Sequence, residues 1–185
     1  MPSGKIAVIV GSLRRDSFTR KVARAMVPLA PGAYEYEFLE IGQLPLYNQD
    51  LDDPAVQPRE WTAFRDRVRP VAGVLFATPE HNRSIPAALK NALDVGSRPY
   101  GHSAWAGKPA GIVSVTPGAM GGFGANHHLR QSLVFLDMPA MAQPEAYVGH
   151  AADLVAEDLS VKDQATKAFL GNFMKAFEAF VAKIG

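Results

Sequence analysis

The segment that decides the fold is Lys5-Ile6-Ala7-Val8-Ile9-Val10, a short apolar run that is followed at once by Gly11. A continuous apolar run without polar alternation is typical of a strand buried on both faces of a parallel sheet. Two further segments have the same character, GVLFA at 73–77 and PAGIVSV at 109–115. The chain therefore predicts a parallel sheet whose two faces are covered by helices.

Helical periodicity fills the intervals between the strands. Two weaker strands are expected, one at 34–41, where apolar and acidic residues alternate as in an edge strand, and one within 140–148. Apolar residues recur at three- and four-residue spacing in five segments, one after each strand: 17–29, 60–68, 86–95, 125–136 and 162–184. Five strands in a βα alternation favour a flavodoxin-like three-layer sandwich of order 2-1-3-4-5 over the six-stranded dinucleotide-binding fold.

Composition narrows the class of protein. We expect residues 1–185 to form a single domain, because this length is ordinary for one hydrophobic core. The absence of Cys excludes disulfides, thiolate metal sites and thiol redox chemistry. With 19 Lys and Arg against 18 Asp and Glu, the chain lacks the basic excess of a nucleic-acid-binding protein. No apolar run approaches the roughly 18 residues of a membrane span, and without a signal-peptide pattern a cytoplasmic location is expected.

Three unusual loops follow strands 1, 3 and 4, where ligands bind in folds of this kind. The first loop, Gly11–Arg20, brings hydroxyls and cations to a helix N-terminus, an arrangement that favours a phosphate. It lacks the Gly-Lys-Ser/Thr ending and the Gly-x-Gly-x-x-Gly pattern, so a monophosphate is a better expectation than a triphosphate or pyrophosphate. The alternative interpretation is ordinary helix capping by Ser12 or Ser17 with solvated arginines.

The second loop, Thr78–Pro86, is longer than a plain strand-to-helix turn and is bracketed by two prolines. Its backbone amides and Asn82 could hydrogen-bond a planar heterocycle that His81 stacks on or shields. The third loop, Thr116–Gly124, has four glycines in seven residues, which permits close approach of backbone to a ligand. The alternatives are a solvent loop and a flexible linker. Together the three loops predict FMN, a monophosphate with a flat ring.

The motifs themselves resemble those of the NADPH-dependent FMN reductase family, from the first strand to about Val148. Three stretches carry this resemblance: GSLR at 11–14 followed by Ser17, PEHNRS at 79–84, and ALKNALD at 88–94. The stretch LRQSLVFLDMP at 129–139 is also similar to a helix of that family. The position of His81 is often Tyr in that family.

The resemblance implies non-covalent FMN held by residues of the three loops. Ser12, Arg14, Ser17 and Thr19 would hold the phosphate, and the ring would lie against the second loop, largely through its backbone. The residues expected at the ring and the ribityl chain are Pro79, Glu80, His81, Asn82, Ser114, Gly118, Gly121 and Gly122. Phe18, Ser84 and Pro117, in the same loops, complete the expected set.

The implied activity is electron transfer from NADPH or NADH through FMN to a quinone, a flavin or a metal oxyanion such as chromate, by ping-pong turnover. No side chain is expected to act as an acid, base or nucleophile, and no metal site is expected, because His127 and His128 are adjacent and point in different directions on a helix. The resemblance also implies a homodimer or homotetramer. The alternative is a flavodoxin-type electron carrier that never meets a nicotinamide.

Overall fold

The computed structural model describes residues 3–185; Met1 and Pro2, which the expected domain includes, lie outside the described residues. Five parallel strands form one sheet of order β2-β1-β3-β4-β5, which confirms the predicted flavodoxin-like topology. The strands are β1 Lys5–Val10, β2 Glu35–Leu39, β3 Gly73–Thr78, β4 Ala110–Val115 and β5 Ala146–Val148. The helices are α1 Phe18–Met26, α2 Arg59–Val68, α3 Ala87–Gly96, α4 Phe123–Phe135 and α5 Gln164–Ile184, with short 3-10 turns at Val27–Leu29 and Gln49–Leu51.

The apolar run of β1 is continuous because each of its faces meets a separate core. Ala7 and Ile9 belong to the core under α2, α3 and α4, together with Trp61 and Trp105. Ile6, Val8 and Val10 belong to the core under α1 and α5, whose largest buried side chains include Phe173 and Phe177. A strand with two buried faces has no solvent side on which polar residues would be favoured.

The element boundaries differ from the sequence-based ones where local backbone chemistry intervenes. Ser17 is the N-cap of α1, and its hydroxyl accepts a hydrogen bond from Arg20 N at 3.1 Å. The last three residues of the expected helix 17–29 form a 3-10 turn that contains Pro28. Helix α4 begins at Phe123, two residues earlier than expected, because Gly122 adopts a left-handed φ of 76° at its N-cap.

The register of the central strands brings the first and second loops together. Ile6 pairs with Gly73 and Val10 with Ala77, so β1 and β3 end at the same level of the sheet. Gly11 N continues this pairing by donating to Ala77 O at 2.8 Å. Thr78 in turn pairs with Ser114, which places the end of β4 beside them. Three consecutive carboxyl ends therefore open onto one edge of the sheet.

Candidate functional site

A cavity of about 170 Å³ lies at the carboxyl edge of the sheet, between the ends of β1, β3 and β4. All three unusual loops contribute to its wall, as the topological switch point of this sheet order predicts. Its lining consists of Ser12, Arg14, Ser17, Phe18, Thr19, Pro79, Glu80, His81, Val115, Thr116 and Pro117.

The first loop supplies hydrogen-bond donors that the protein itself leaves without acceptors. The backbone amides of Phe18 and Thr19, in the first turn of α1, have no acceptor among residues 3–185. The hydroxyl-bearing residues Ser12 and Thr19 are buried beside them, and the Arg14 guanidinium lies 5.8 Å from the centre of the Phe18 ring. Free amides, hydroxyls and a guanidinium at a helix N-terminus are the donors that a phosphate requires.

The second loop is shaped by a tight turn. His81 and Ser84 exchange two backbone hydrogen bonds of 2.9 Å, and Asn82 and Arg83 between them have φ values of 50° and 65°. Left-handed backbone is tolerated by Asn but strained for Arg, and such strain often lies near functional sites. The turn makes this wall of the cavity rigid, which favours the shaped loop of the functional interpretation over a solvent loop.

The third loop is fixed by the segment that follows β5. Ala151 N donates to Thr116 O at 3.1 Å, and a Cβ on Gly121 would lie only 2.7 Å from the carbonyl carbon of Tyr147. Gly121 also has a φ of 60°, so two independent reasons require glycine there. These contacts hold the third loop in one conformation, which favours a shaped loop over a flexible linker.

An aromatic cluster supports the same loop at the start of α4. The rings of Phe123 and His127 lie 4.2 Å apart, and His127 Nε2 pairs with the Tyr147 hydroxyl at 3.0 Å. Burial and the nearby Glu145 carboxylate raise the pKa of Tyr147 to about 12. The phenol is protonated at neutral pH, as an ordinary tyrosine is, and the raised pKa keeps it protonated at higher pH as well, so the ring carries no negative charge.

The structure brings nine of the fifteen residues expected at the site into the cavity wall, and places six elsewhere. Ser114 lies beneath the cavity: it is fully buried, and its hydroxyl donates to Ala146 O at 3.4 Å. Ser84 is turned towards α4. The others outside the wall are Asn82, Gly118, Gly121 and Gly122.

Two residues of the wall, Val115 and Thr116, are absent from the sequence-based set. They are the last residue of β4 and the first residue after it. Only their place at the end of β4 could have identified them, since the end of each central strand faces the ligand edge in this fold. Arg98 follows α3 and lies outside this wall, and its guanidinium is 5.9 Å from the centre of the Tyr47 ring.

A larger open depression of about 520 Å³ lies at the amino edge of the sheet, beside Arg69, His102 and Lys108. Lys108 Nζ donates to the carbonyls of Arg69 and Val71, at 2.8 and 2.9 Å, so its charge caps the end of α2. Burial lowers the pKa of Lys108. Lys108 and Arg69, which pairs with Asp66, are thus both engaged by the protein, in contrast to the free donors of the first loop.

The sequence profile described as NADPH-dependent FMN reductase matches residues 4–153 of the chain. The chain belongs to this family. The matched range contains the sheet, all three loops and the cavity, and it confirms the family expected from the motifs.

Among residues 3–185, no group of three or more His, Asp or Glu side chains is placed to hold a metal ion. No helix within the same residues is long and apolar enough to cross a membrane.

Relatives and solved structures agree with this assignment over nearly the whole chain. A quinone reductase of Pseudomonas putida is 57% identical over 176 residues, which are 95% of this chain and 94% of the relative. A 2-hydroxy-1,4-benzoquinone reductase of a Burkholderia species is 44% identical and covers 96% of both chains. The solved FerB, a flavoenzyme NAD(P)H:(acceptor) oxidoreductase of Paracoccus denitrificans, superposes with a TM-score of 0.93 at 41% identity, over 98% of this chain and 99% of FerB.

Proposed function

We propose that the protein is an NAD(P)H-dependent flavoprotein oxidoreductase that binds FMN without a covalent link and reduces quinones. The observation that carries this proposal is the single cavity in which the donor-rich first loop faces the second and third loops. The family membership and the similarity to quinone reductases support it.

The residues of the cavity fit FMN. The free amides of Phe18 and Thr19, with Ser12 and Arg14, would hold the phosphate. The rigid second loop and the third loop would then lie on either side of the ring. In this proposal the expected set divides into residues in direct contact and residues that support the wall from behind. Asn82, Ser84, Ser114, Gly118, Gly121 and Gly122 are outside the cavity lining and form the supporting group.

Bound FMN would supply hydride acceptance and electron release, which is the chemistry that side chains cannot provide. The protein orients the reactants and excludes competing reactions. One cleft has to serve both the nicotinamide and the acceptor, which therefore occupy it in turn, as ping-pong turnover requires. Oriented N–H donors at the carboxyl edge would stabilise negative charge that develops in the cleft. No side chain is proposed as an acid, base or nucleophile.

A steady-state assay tests the activity. FMN-loaded protein is mixed with NADPH or NADH and a benzoquinone, and nicotinamide oxidation is followed at several fixed quinone concentrations. Parallel lines in the double-reciprocal plot are expected for ping-pong turnover. FMN uptake without any nicotinamide oxidation would favour the flavodoxin-type carrier, and a protein that takes up no FMN would contradict both. Free flavin and chromate as acceptors, and NADPH against NADH, are compared in the same assay.

We further propose that the protein is a homo-oligomer, a dimer or a tetramer, that associates through α3 and α4. Val134 and Phe135 are 80% and 82% exposed at the end of α4. Beside them, an apolar groove runs between α3 and α4, lined by Leu93, Leu136 and the Lys90–Asp94 pair. A second copy of this face would cover these side chains. Sedimentation of the wild type and of F135D tests this, because a charge in the contact lowers the oligomeric state.

The chain is proposed to be one domain in the cytoplasm. The helices and strands from Lys5 to Ile184 all pack on one sheet, which supports a single domain for these residues. Reduced nicotinamide nucleotides, the proposed electron donors, are available in the cytoplasm. Cell fractionation with an antibody against the chain checks the location, and limited proteolysis without a stable smaller fragment checks the domain.

A further inference from the structure

We propose that Glu80 is a positioning residue whose carboxylate clamps the second loop to the first turn of α4 and so fixes the width of the flavin cleft. This inference rests on the proposed function. It concerns the side chain of Glu80, whereas the family resemblance implies a role for this loop mainly through its backbone.

The central observation is the direction of the Glu80 side chain. Its Oε2 accepts a hydrogen bond from Ala125 N at 3.1 Å, although the residue belongs to the cavity wall. Ala125 lies in the first turn of α4, where backbone amides have no partner inside the helix. The side chain is only 13% exposed. A carboxylate at a helix N-terminus is stabilised both by this hydrogen bond and by the helix dipole.

A close approach of the two elements accompanies this bond. A Cβ on Gly124 would lie 2.9 Å from Glu80 Oε2 and 3.0 Å from the carbonyl oxygen of Arg83. The second of these atoms belongs to the backbone of the strained turn, so it has little freedom to move. Any residue larger than glycine at position 124 would push the second loop away from α4.

A second bond joins the same elements one turn further along. Ser84 Oγ and His128 Nδ1 are 2.6 Å apart. The second loop is thus attached to α4 at both ends of its turn, by Glu80 before it and by Ser84 after it. Since α4 continues directly from the third loop, these attachments set the distance between the two loops that flank the cleft.

The bond between Glu80 and α4 also affects the electrostatic potential at the cavity wall. The positive end of the α4 dipole is taken by a protein carboxylate and is not offered to the ligand. Glu80 Oε1 also lies 3.5 Å from Nη1 of the exposed Arg83, which offsets part of the carboxylate charge. The negative charge that remains at the cavity wall disfavours further negative charge on a bound flavin. We therefore expect Glu80 to lower the midpoint potential of FMN in this protein, in addition to its geometric effect.

Three variants separate the parts of the clamp. E80A removes the hydrogen bond and the charge, E80Q keeps an oxygen that can accept from Ala125 N, and G124A forces the elements apart. The matched controls are E37Q, in β2, where the carboxylate pairs with Lys5 and Arg67, and G171A, in α5, where an added Cβ would meet no atom within 4 Å. The measurements are the FMN Kd, the midpoint potential of the bound flavin, and hydrogen exchange of the Ala125 amide without FMN.

We expect E80A and G124A to raise the FMN Kd about tenfold, because a second loop released from α4 has to be ordered again when FMN binds, and immobilising one or two side chains costs on the order of one such factor. E80Q should restore most of the affinity and raise the midpoint potential, while E37Q and G171A leave both unchanged. An E80A protein within twofold of the wild-type Kd would overturn the proposal, as would an E80Q protein no better than E80A. A wild-type protein that binds no FMN would overturn only the proposed function. In that case the clamp is still tested without FMN, and faster hydrogen exchange of the Ala125 amide in E80A than in the wild type supports it.

Discussion

The first and second loops lie side by side at the cavity and use their polar groups in opposite ways. The first loop leaves the amides of Phe18 and Thr19 without acceptors among the described residues. The second loop directs Glu80 and Ser84 into hydrogen bonds with α4. A ligand can therefore take its hydrogen bonds from the first loop and its shape from the second. The first loop thus provides the donors that would bind a phosphate, and the second loop provides the rigid surface against which a ring would lie.

The largest effect is expected from Ser12→Ala, in the first loop. If Ser12 donates to a phosphate, its removal raises the FMN Kd about tenfold to a hundredfold, because hydrogen bonds to charged groups contribute about 1.5–3 kcal/mol. Titration of the apoprotein with FMN, followed by flavin fluorescence, measures this. Ser160→Ala, whose hydroxyl bonds to Asp158, serves as the control and should bind FMN like the wild type. Equal affinity of S12A and wild type would remove Ser12 from the phosphate site.

A second comparison separates capping from ligand binding. Ser17→Ala removes the N-cap of α1 and should lower the Tm by about 2–4 °C, since a cap contributes about 1 kcal/mol in a chain of this size. It should also weaken FMN binding, because Ser17 lines the cavity. Asp163→Ala removes the N-cap of α5, far from the cavity, and should lower the Tm alone. Unchanged FMN affinity in S17A would show that Ser17 caps α1 and does not bind FMN, which is the alternative interpretation of the first loop.

In the second loop, Ser84→Ala should have a smaller effect, of a fewfold on the FMN Kd. The variant removes one of the two attachments to α4, while the Glu80 bond and the turn remain. Hydrogen exchange of the amides 81–84 should accelerate more than the affinity falls. A loss of affinity as large as that of S12A would mean that the Ser84 side chain itself binds the ligand, and the contrast between the polar side chains of the two loops would fail.

The smallest effect concerns the ion pair between Arg20, at the end of the first loop, and Glu40. The hydrogen bond from Arg20 lowers the pKa of Glu40 below its ordinary value. A carboxylate with a depressed pKa in the folded state adds stability above its unfolded pKa, and this stability is lost as the pH falls through the folded pKa. Glu40→Gln should therefore flatten the fall of Tm between about pH 5 and pH 3. An unchanged profile in E40Q would show that other carboxylates cause the acid sensitivity.

Most of the fold could be predicted because the residue types of each strand indicate whether its two faces are buried or exposed to solvent. Lys5–Val10 was expected at its observed bounds, and the edge strand β2 was recognised by its alternating acidic residues. The weakest expectation was β5, which is only three residues long within the segment 140–148. A strand of three residues leaves too little pattern to define its ends, and its place is set by pairing with β4.

The site was predictable to the level of loops but not of side chains. The three loops were found from their position after the central strands and from their unusual composition. The side-chain directions of Glu80, Ser84 and Ser114 could not be read in the same way, because each depends on a partner distant in the chain: Ala125, His128 and Ala146. Val115 was missed because it carries no polar group that points to a ligand. Thr116 opens the third loop but belongs to none of the motifs that carry the family resemblance.

The sequence by itself determined the layered fold, the family and the edge of the sheet at which a ligand binds. These properties follow from local patterns, namely apolar runs, helical spacing and short motifs, which act within a few residues of one another. Only the tertiary structure decided which polar groups remain free for a ligand and which are bound within the protein. A hydrogen bond needs two groups within about 3 Å, and for the second loop the partner lies about 45 residues away along the chain.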